Sequence, residues 1–462
     1  MGLILGSGST KPQYPYDQWY GVQGDTTSSD YKLTRVGNLD LHRTLPIQNK
    51  LRRFVENEDG SVKYYLGQND SRTKEAGALA DITGADGNVM LEIPEFFVRI
   101  EIHGTKWIYG ISEHPLPGFT KIERMAIAPW YSTYNNTTKK PQSGCFLTWN
   151  GDEIARGEDG LPIFVDGAAN CRGGNNTAEW DGTYRSLIGM GRTNIPSSTI
   201  RDWCAATGNG IHHGAFRAYN YIAWLQRIEY ASLHCQDTYT TTLTGDGFRQ
   251  GGLGAGCVVE DTKEWNKHCA VNPFIPGGVT APIGNNTGKV SFVVKNWANS
   301  GSDKTLQVTS YRGFEVPFEY LYMLADDILI HHSPATALGK SRAYLCTDPA
   351  KFTSHSKSAE KPPVGYEEVA DLPYNPHPTA LYSMYLSLTE KGIGFNSKIL
   401  GGSSNKGCCD LFYCPGNKDS GWYLAVLSGN ARDGAGAGFS FMFTNYITQY
   451  ANHCIGFRLC RN

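Results

Sequence analysis

The sequence predicts an α+β fold rich in loops, on three observations. Short runs of alternating apolar and polar residues recur along the chain, with 'FVRIEIHG' (97–104) the clearest. Two stretches, 'IPSSTIRDWCAATG' and 'AYNYIAWLQRIEYASLHCQ', carry helical spacing instead. Glycine is abundant, 53 of 462 residues, beside 26 Tyr and 10 Trp. Such a mixture suits irregular connections and presented rings more than long regular elements.

Taken in order, residues 1–40 read as a polar, extended arm around 'PQYPYDQWYG'. A helix is expected over 'LPIQNKLRRFVEN' (45–57), where Leu45, Ile47, Leu51 and Phe54 make an apolar stripe. Strands follow at 'SVKYYL' and within 88–112, with Pro94 as an edge or a break. Residues 115–119, 135–144 and 151–164 are turns and loops. Asn135, Asn136, Asn175 and Asn285 open N-x-Thr triplets, read as unmodified without a secretion signal. The first clear helix has Ser197 or Ser198 as its cap. The second buries Ile222, Leu225, Ile228 and Leu233, widened by Tyr221 and Trp224; its Glu229 is either paired or solvated. Strands are expected at 288–298 and 305–313. 'VPFEYLYMLADDILI' (316–330) reads as helix turning to strand, and short strands at 421–429, 438–446 and 455–460 complete the chain.

Lys plus Arg total 42 against 44 Asp plus Glu, so a net charge of −2 gives no general attraction to nucleic acid or acidic membranes. No apolar run is long enough to span a bilayer, so no membrane insertion is expected. The start 'MGLILGSGSTKPQ' lacks the basic lead and apolar length of a secretory signal, and Gly6 stands where a myristoylation motif prefers Ser or Thr. No internal repeat appears.

Chemistry-bearing motifs are sparse. 'GAGAGFSF' (434–441) has neither the lysine of a phosphate loop nor a dinucleotide-binding context, and its glycines read as turn and close-approach positions. Cys408, Cys409 and Cys414 lack zinc-site spacing, and most of the twelve cysteines read as buried thiols. The adjacent pairs His212–His213 and His331–His332 are poor chelates in extended chain. Glu260, Asp261, Asp326 and Asp327 lack calcium-loop spacing. No cofactor or metal is expected. Cys454 and Cys460 keep a redox reading open, although in a continuous strand they would lie about 20 Å apart.

Four segments occur in order: 'WDGTYRSLIGMGRTNIPSSTIRDWCAATGNG', 'WLQRIEYASLHCQ', 'SYRGFEVPFEYLYMLADDILI' and the closing 'GNARDGAGAGFSF…IGFRLC'. Together they resemble the retroelement-diversified variable proteins of bacteriophages, best those of tail-fibre or receptor-binding type. The resemblance covers roughly 90–462. It implies a C-type-lectin-like, formylglycine-generating-enzyme-type domain with extended insertions over that range. Residues 1–89 would then form an attachment arm and a small β-rich region.

The resemblance further implies a rigid scaffold presenting a variable patch at about 422–455. Matched by position, its ligand-binding candidates are Tyr423, Asn430, Arg432, Asp433, Ala435, Phe439, Phe441, Phe443, Asn445, Tyr446, Tyr450, Asn452 and His453. Adenine-directed diversification yields codons that cannot encode Trp, Met or Gln, which assigns Trp422, Met442 and Gln449 to the framework. Gly429, Gly434, Gly438, Gly456, Phe457, Arg458 and Leu459 join them as scaffold. The implied role is non-catalytic attachment to a bacterial surface protein or glycan, on the virion tail beside other tail proteins, as a homo-oligomer with a trimer among the options. Two other readings are carried: a structural tail or baseplate protein, and a formylglycine-type oxidase using Cys454 and Cys460.

Overall fold

In the computed structural model, residues 17–171, 173, 188–256, 274–295, 297, 301–333, 340–373, 380–388, 394–414 and 420–462 are described. Cys257, Cys269, Glu260, Asp261, Asn175 and the first residues of the N-terminal arm lie outside them. The fold is mostly β, 37% strand against 12% helix, with a sheet curled as a half-barrel. The expected α+β mixture therefore holds only in the coarse sense that a few helices pack on dominant sheets.

Three sheets frame the molecule. The first runs Thr34–Gly37, Tyr20–Asp25, Lys106–Ser112, Phe96–His103, Thr120–Ile122. The second runs Cys460–Arg461, Met125–Ile127, Val89–Ile93, Arg52–Glu56, Val62–Tyr65. The third has nine strands, centred on the long strand Tyr322–Ser333, which pairs antiparallel with both Lys340–Leu345 and Gly421–Leu427. Met442–Tyr446 lies beyond Gly421–Leu427, followed by Leu411–Tyr413 in parallel register. Strands from both sides of residue 89 share the first two sheets, and one continuous apolar core runs from Tyr20 to Cys460.

The central helix Phe216–Tyr230 is buried along all its residues but Arg217, so even its polar Asn220, Gln226, Arg227 and Glu229 are enclosed by the surrounding sheets. Its N-terminus has no local side-chain cap. The Asp327 carboxylate of the long strand instead accepts the Phe216 and Arg217 N–H groups at 2.9 and 3.0 Å, setting negative charge at the positive helix end. Trp224 stacks on Tyr109 at 3.9 Å, tying the helix to the first sheet. On its other side Tyr219 packs on Phe314 and Phe439, and Arg227 donates to Ser440 Oγ at 2.6 Å. Glu229 is ion-paired: Arg312 holds it through Nε at 2.6 Å and Nη2 at 2.9 Å.

Several local expectations are corrected. The helix expected over 45–57 is absent: the chain makes a single 3-10 turn at Gln48–Lys50 and then the strand Arg52–Glu56. The preceding short helix Leu39–Thr44 ends at Leu45 with φ 50, and Pro46 cannot continue it. The apolar residues that suggested a stripe serve a strand with Phe54 and Val55 both buried. The segment 316–330 contains no helix among its described residues; from Tyr322 it is strand. In the helix Ser197–Ala205 neither serine caps: the cap position is Pro196, and Ser197 Oγ turns inward to Asp326.

The final segment 'GFRLC' threads between the sheets. Cys460 pairs with Ile127, and Leu459 donates its N–H to Ser132 Oγ. The buried Arg458 guanidinium donates to the carbonyls of Ala128, Glu315 and Val316 and lies over the rings of Tyr131 and Phe314. Three carbonyls and two ring faces offset most of the cost of a charge removed from water, while Arg458 Nε makes no hydrogen bond.

Candidate functional site

The strand Met442–Tyr446 alternates as a half-exposed strand should. Met442 and Thr444 point into the core, while Phe443 and Asn445 are only partly covered. Phe443 is the register partner of Tyr413 on the parallel neighbour, and their rings stack at 4.2 Å with planes 7° apart. Tyr446 stacks on Phe443 at 4.7 Å. A turn closed by the Tyr450 N–H to the Ile447 carbonyl returns the chain, so that Tyr450 stacks on Tyr446 at 4.0 Å. Asn452 Nδ2 donates to the Tyr450 hydroxyl at 2.9 Å. The result is a half-buried column, Tyr413–Phe443–Tyr446–Tyr450. Beneath it, buried Tyr322 stacks on Phe441 and tilts against Phe443 and Tyr446.

A loop borders this column. Asn430 Oδ1 accepts the Arg432 N–H at 2.9 Å, and Asp433 Oδ2 accepts the Asn430 N–H at 2.8 Å. The turn Gly434–Gly436 is held from outside by Gln236, whose Nε2 donates to the carbonyls of Gly434 and Ala437. Loss of hydration pushes the Asp433 carboxyl up to about 6, against the opposing pull of the Asn430 N–H, the Tyr322 hydroxyl and the Arg432 charge. Two glycines permit the loop's approach to the core. At Gly429, with φ 72, a Cβ would meet Ala437 Cβ at 2.6 Å; at Gly438 it would lie 2.1 Å from Asp410 Oδ1.

The structure divides the expected contact residues. Arg432 and Ala435 are exposed, and Asp433, Phe443, Asn445, Tyr446, Tyr450, Asn452 and His453 are partly exposed around the column. Tyr423, Asn430, Phe439 and Phe441 are corrected to interior positions, all at 2% exposure or less. Tyr423 lies on a strand flanked on both sides within the nine-stranded sheet, and Phe439 packs among Tyr219, Tyr311 and Phe318 under the central helix. No ligand on the surface reaches them. Of the framework positions, Trp422 and Met442 are buried and Gln449 is exposed. Tyr413 and Tyr322 were not among the sequence candidates. The signal for Tyr413 is its short 'LFY' strand, whose middle residue Phe412 is buried and whose outer residues are half-exposed.

Cys454 and Cys460 belong to different strand contexts. The strand Ile455–Gly456, directly after Cys454, pairs parallel with Tyr322–Met323, whereas Cys460 pairs with Ile127 in the second sheet. Both are buried, and burial pushes the Cys460 thiol well above its ordinary range. A reactive thiol needs the reverse, a lowered pKa and access. Cys408, Cys409 and Cys414 are likewise buried. Among the described residues no group of His, Cys, Asp and Glu side chains is arranged to hold a metal ion.

One buried cluster has the composition of a nucleophilic triad but not its geometry. Ser197 Oγ lies 2.9 Å from His213 Nε2 and donates to Asp326 Oδ1 at 2.8 Å. Asp326 approaches that same ring nitrogen at 3.7 Å, while His213 Nδ1 has no hydrogen-bond partner. A relay needs acid and hydroxyl on opposite ring nitrogens. Arg201 clamps Asp326 through Nε and Nη2 at 2.7 and 2.8 Å, so the cluster fastens the helix Ser197–Ala205 to the long strand. Elsewhere a cleft of about 270 Å³ is lined by Asp25, Asp30, Lys32, Lys106 and Tyr385. Asp25 Oδ1 is engaged by Thr27 and Asp30 Oδ1 by the Lys32 N–H, so these oxygens close local turns.

Among the described residues no helix is long and apolar enough to cross a membrane. No protein-family model and no curated protein matches the chain.

Proposed function

We propose that the protein is a non-catalytic phage receptor-binding protein of the virion tail, with a C-type-lectin-like scaffold. It attaches to a bacterial surface through the region around the ring column. The observation that carries this reading is the column itself: stacked rings, half exposed at a sheet's face and fixed from below by Tyr322. Rigid aromatic side chains offer large contact area at small entropic cost. Arg432, Asn445, Asn452 and His453 add polar groups around it. Assembly as a homo-oligomer with other tail proteins belongs to the same proposal, because several weak sites acting together bind tightly.

The test is adsorption. Phage carrying Tyr446→Ser, Tyr450→Ser and Asn445→Ala together should lose adsorption to its host by about tenfold or more, with the variant protein still incorporated into particles. Unchanged adsorption with normal incorporation overturns attachment through this surface in favour of a structural role.

A further inference from the structure

Phe443 faces Tyr413 at 4.2 Å and Tyr446 at 4.7 Å, and Tyr446 faces Tyr450 at 4.0 Å. An aromatic ring has two faces, and neighbours at these spacings occupy opposite ones. Both faces of Phe443 and of Tyr446 are therefore filled by the protein itself. What the half-exposed column offers along its length is therefore ring edges. Sugar recognition by aromatic residues depends on an open face on which the C–H side of a pyranose lies flat. Along its length the column lacks that platform. Ring edges carry the positive end of the quadrupole and favour electron-rich oxygen and apolar contacts.

Charge points the same way. Arg432 is exposed, and among the described residues its guanidinium makes no hydrogen bond or ion pair, while its backbone N–H is fixed by Asn430 Oδ1. The neighbouring Asp433 is drawn inward to the Asn430 N–H at 2.8 Å and the Tyr322 hydroxyl under the column at 3.5 Å, which sets this loop beside the rings and leaves Arg432 as its outward charge. Ile447, between Tyr446 and Tyr450, is 41% exposed and adds an aliphatic contact. A guanidinium, positive ring edges and an aliphatic side chain are complementary to a carboxylate flanked by apolar groups.

We propose that the column's ligand is an acidic, apolar-flanked segment of a bacterial surface polypeptide, not a sugar chain. This rests on the attachment reading and specifies its ligand. Labelled full-length protein is applied to a panel of intact bacteria that includes the host, before and after protease digestion and after periodate oxidation of surface sugars. Arg432→Glu and Arg432→Lys are compared with the parent on untreated cells. The proposal expects protease to remove binding and periodate to leave it. It also expects Arg432→Glu to weaken binding by about tenfold or more while Arg432→Lys keeps most of it. Circular dichroism of both variants checks that this surface change leaves the fold intact. Loss with periodate but not with protease overturns the polypeptide and leaves attachment standing. Protease-sensitive binding with Arg432→Glu equal to the parent overturns the acidic partner. If the parent binds no cell in the panel, attachment itself falls, and this proposal with it.

Discussion

Asp433 shows how one half-buried side chain couples the border of the column to pH. Desolvation holds its folded-state pKa at about 6, above the 3.8 of an ordinary aspartate. Between those values the folded chain binds more protons than the unfolded one, so stability is fullest below about 4 and falls as pH rises through about 6. The difference corresponds to up to roughly 3 kcal/mol. Asp433→Asn should remove this contribution, leaving a variant at least as stable as the parent near neutral pH and flatter in its acid response. Urea midpoints measured from about pH 4 to about pH 7 check it; parallel curves for the two proteins would refute the assignment. At this scale the sequence was only half legible. It named Phe443, Tyr446 and Tyr450, yet it could not separate them from Phe439 and Phe441, because residue type alone does not say which ring the core claims.

Among the elements, the central helix was the most readable, since Ile222, Leu225 and Ile228 recur in it at helical spacing. Its start was not, because the capping carboxylate comes from Asp327, 111 residues away in sequence. Local signals cannot encode a cap supplied by another sheet. Asp327→Ala should cost about 1–2 kcal/mol and, by calorimetry, lower the melting temperature; Asp327→Asn, which keeps one acceptor, should recover part of it. An unchanged melting temperature in Asp327→Ala would show the cap to be dispensable. The segment 45–57 failed for a related reason. Its apolar spacing fits a helix, but pairing with Val89–Ile93 and Val62–Tyr65 overrides local preference.

Across the whole molecule, the C-terminal segment acts as a clamp. Arg458 sits among three carbonyl acceptors contributed by residues 128, 315 and 316, so its removal leaves buried oxygens unpaired at several places at once. Arg458→Met should destabilise the chain by about 3–5 kcal/mol and expose both the second sheet and the long strand to limited proteolysis. Protection unchanged from the parent in either would contradict the clamp. The scaffold status of Phe457, Arg458 and Leu459 was expected from sequence; what they hold together was not, since sheet partners so distant leave no local trace.

That clamp imposes an order on biosynthesis. Leu459 meets Ser132 at a sequence separation of 327, and the strand Met125–Ile127 takes Cys460–Arg461 as its outer neighbour. While the ribosome is still working, the early strands wait with an open edge that nothing made so far is meant to fill. Closure of such distant partners is entropically slow, and the waiting edge is a site for chaperones or for mispairing between nascent chains. Refolding in the test tube, which starts with every residue already present, should therefore succeed at dilutions where synthesis in crowded cells needs assistance.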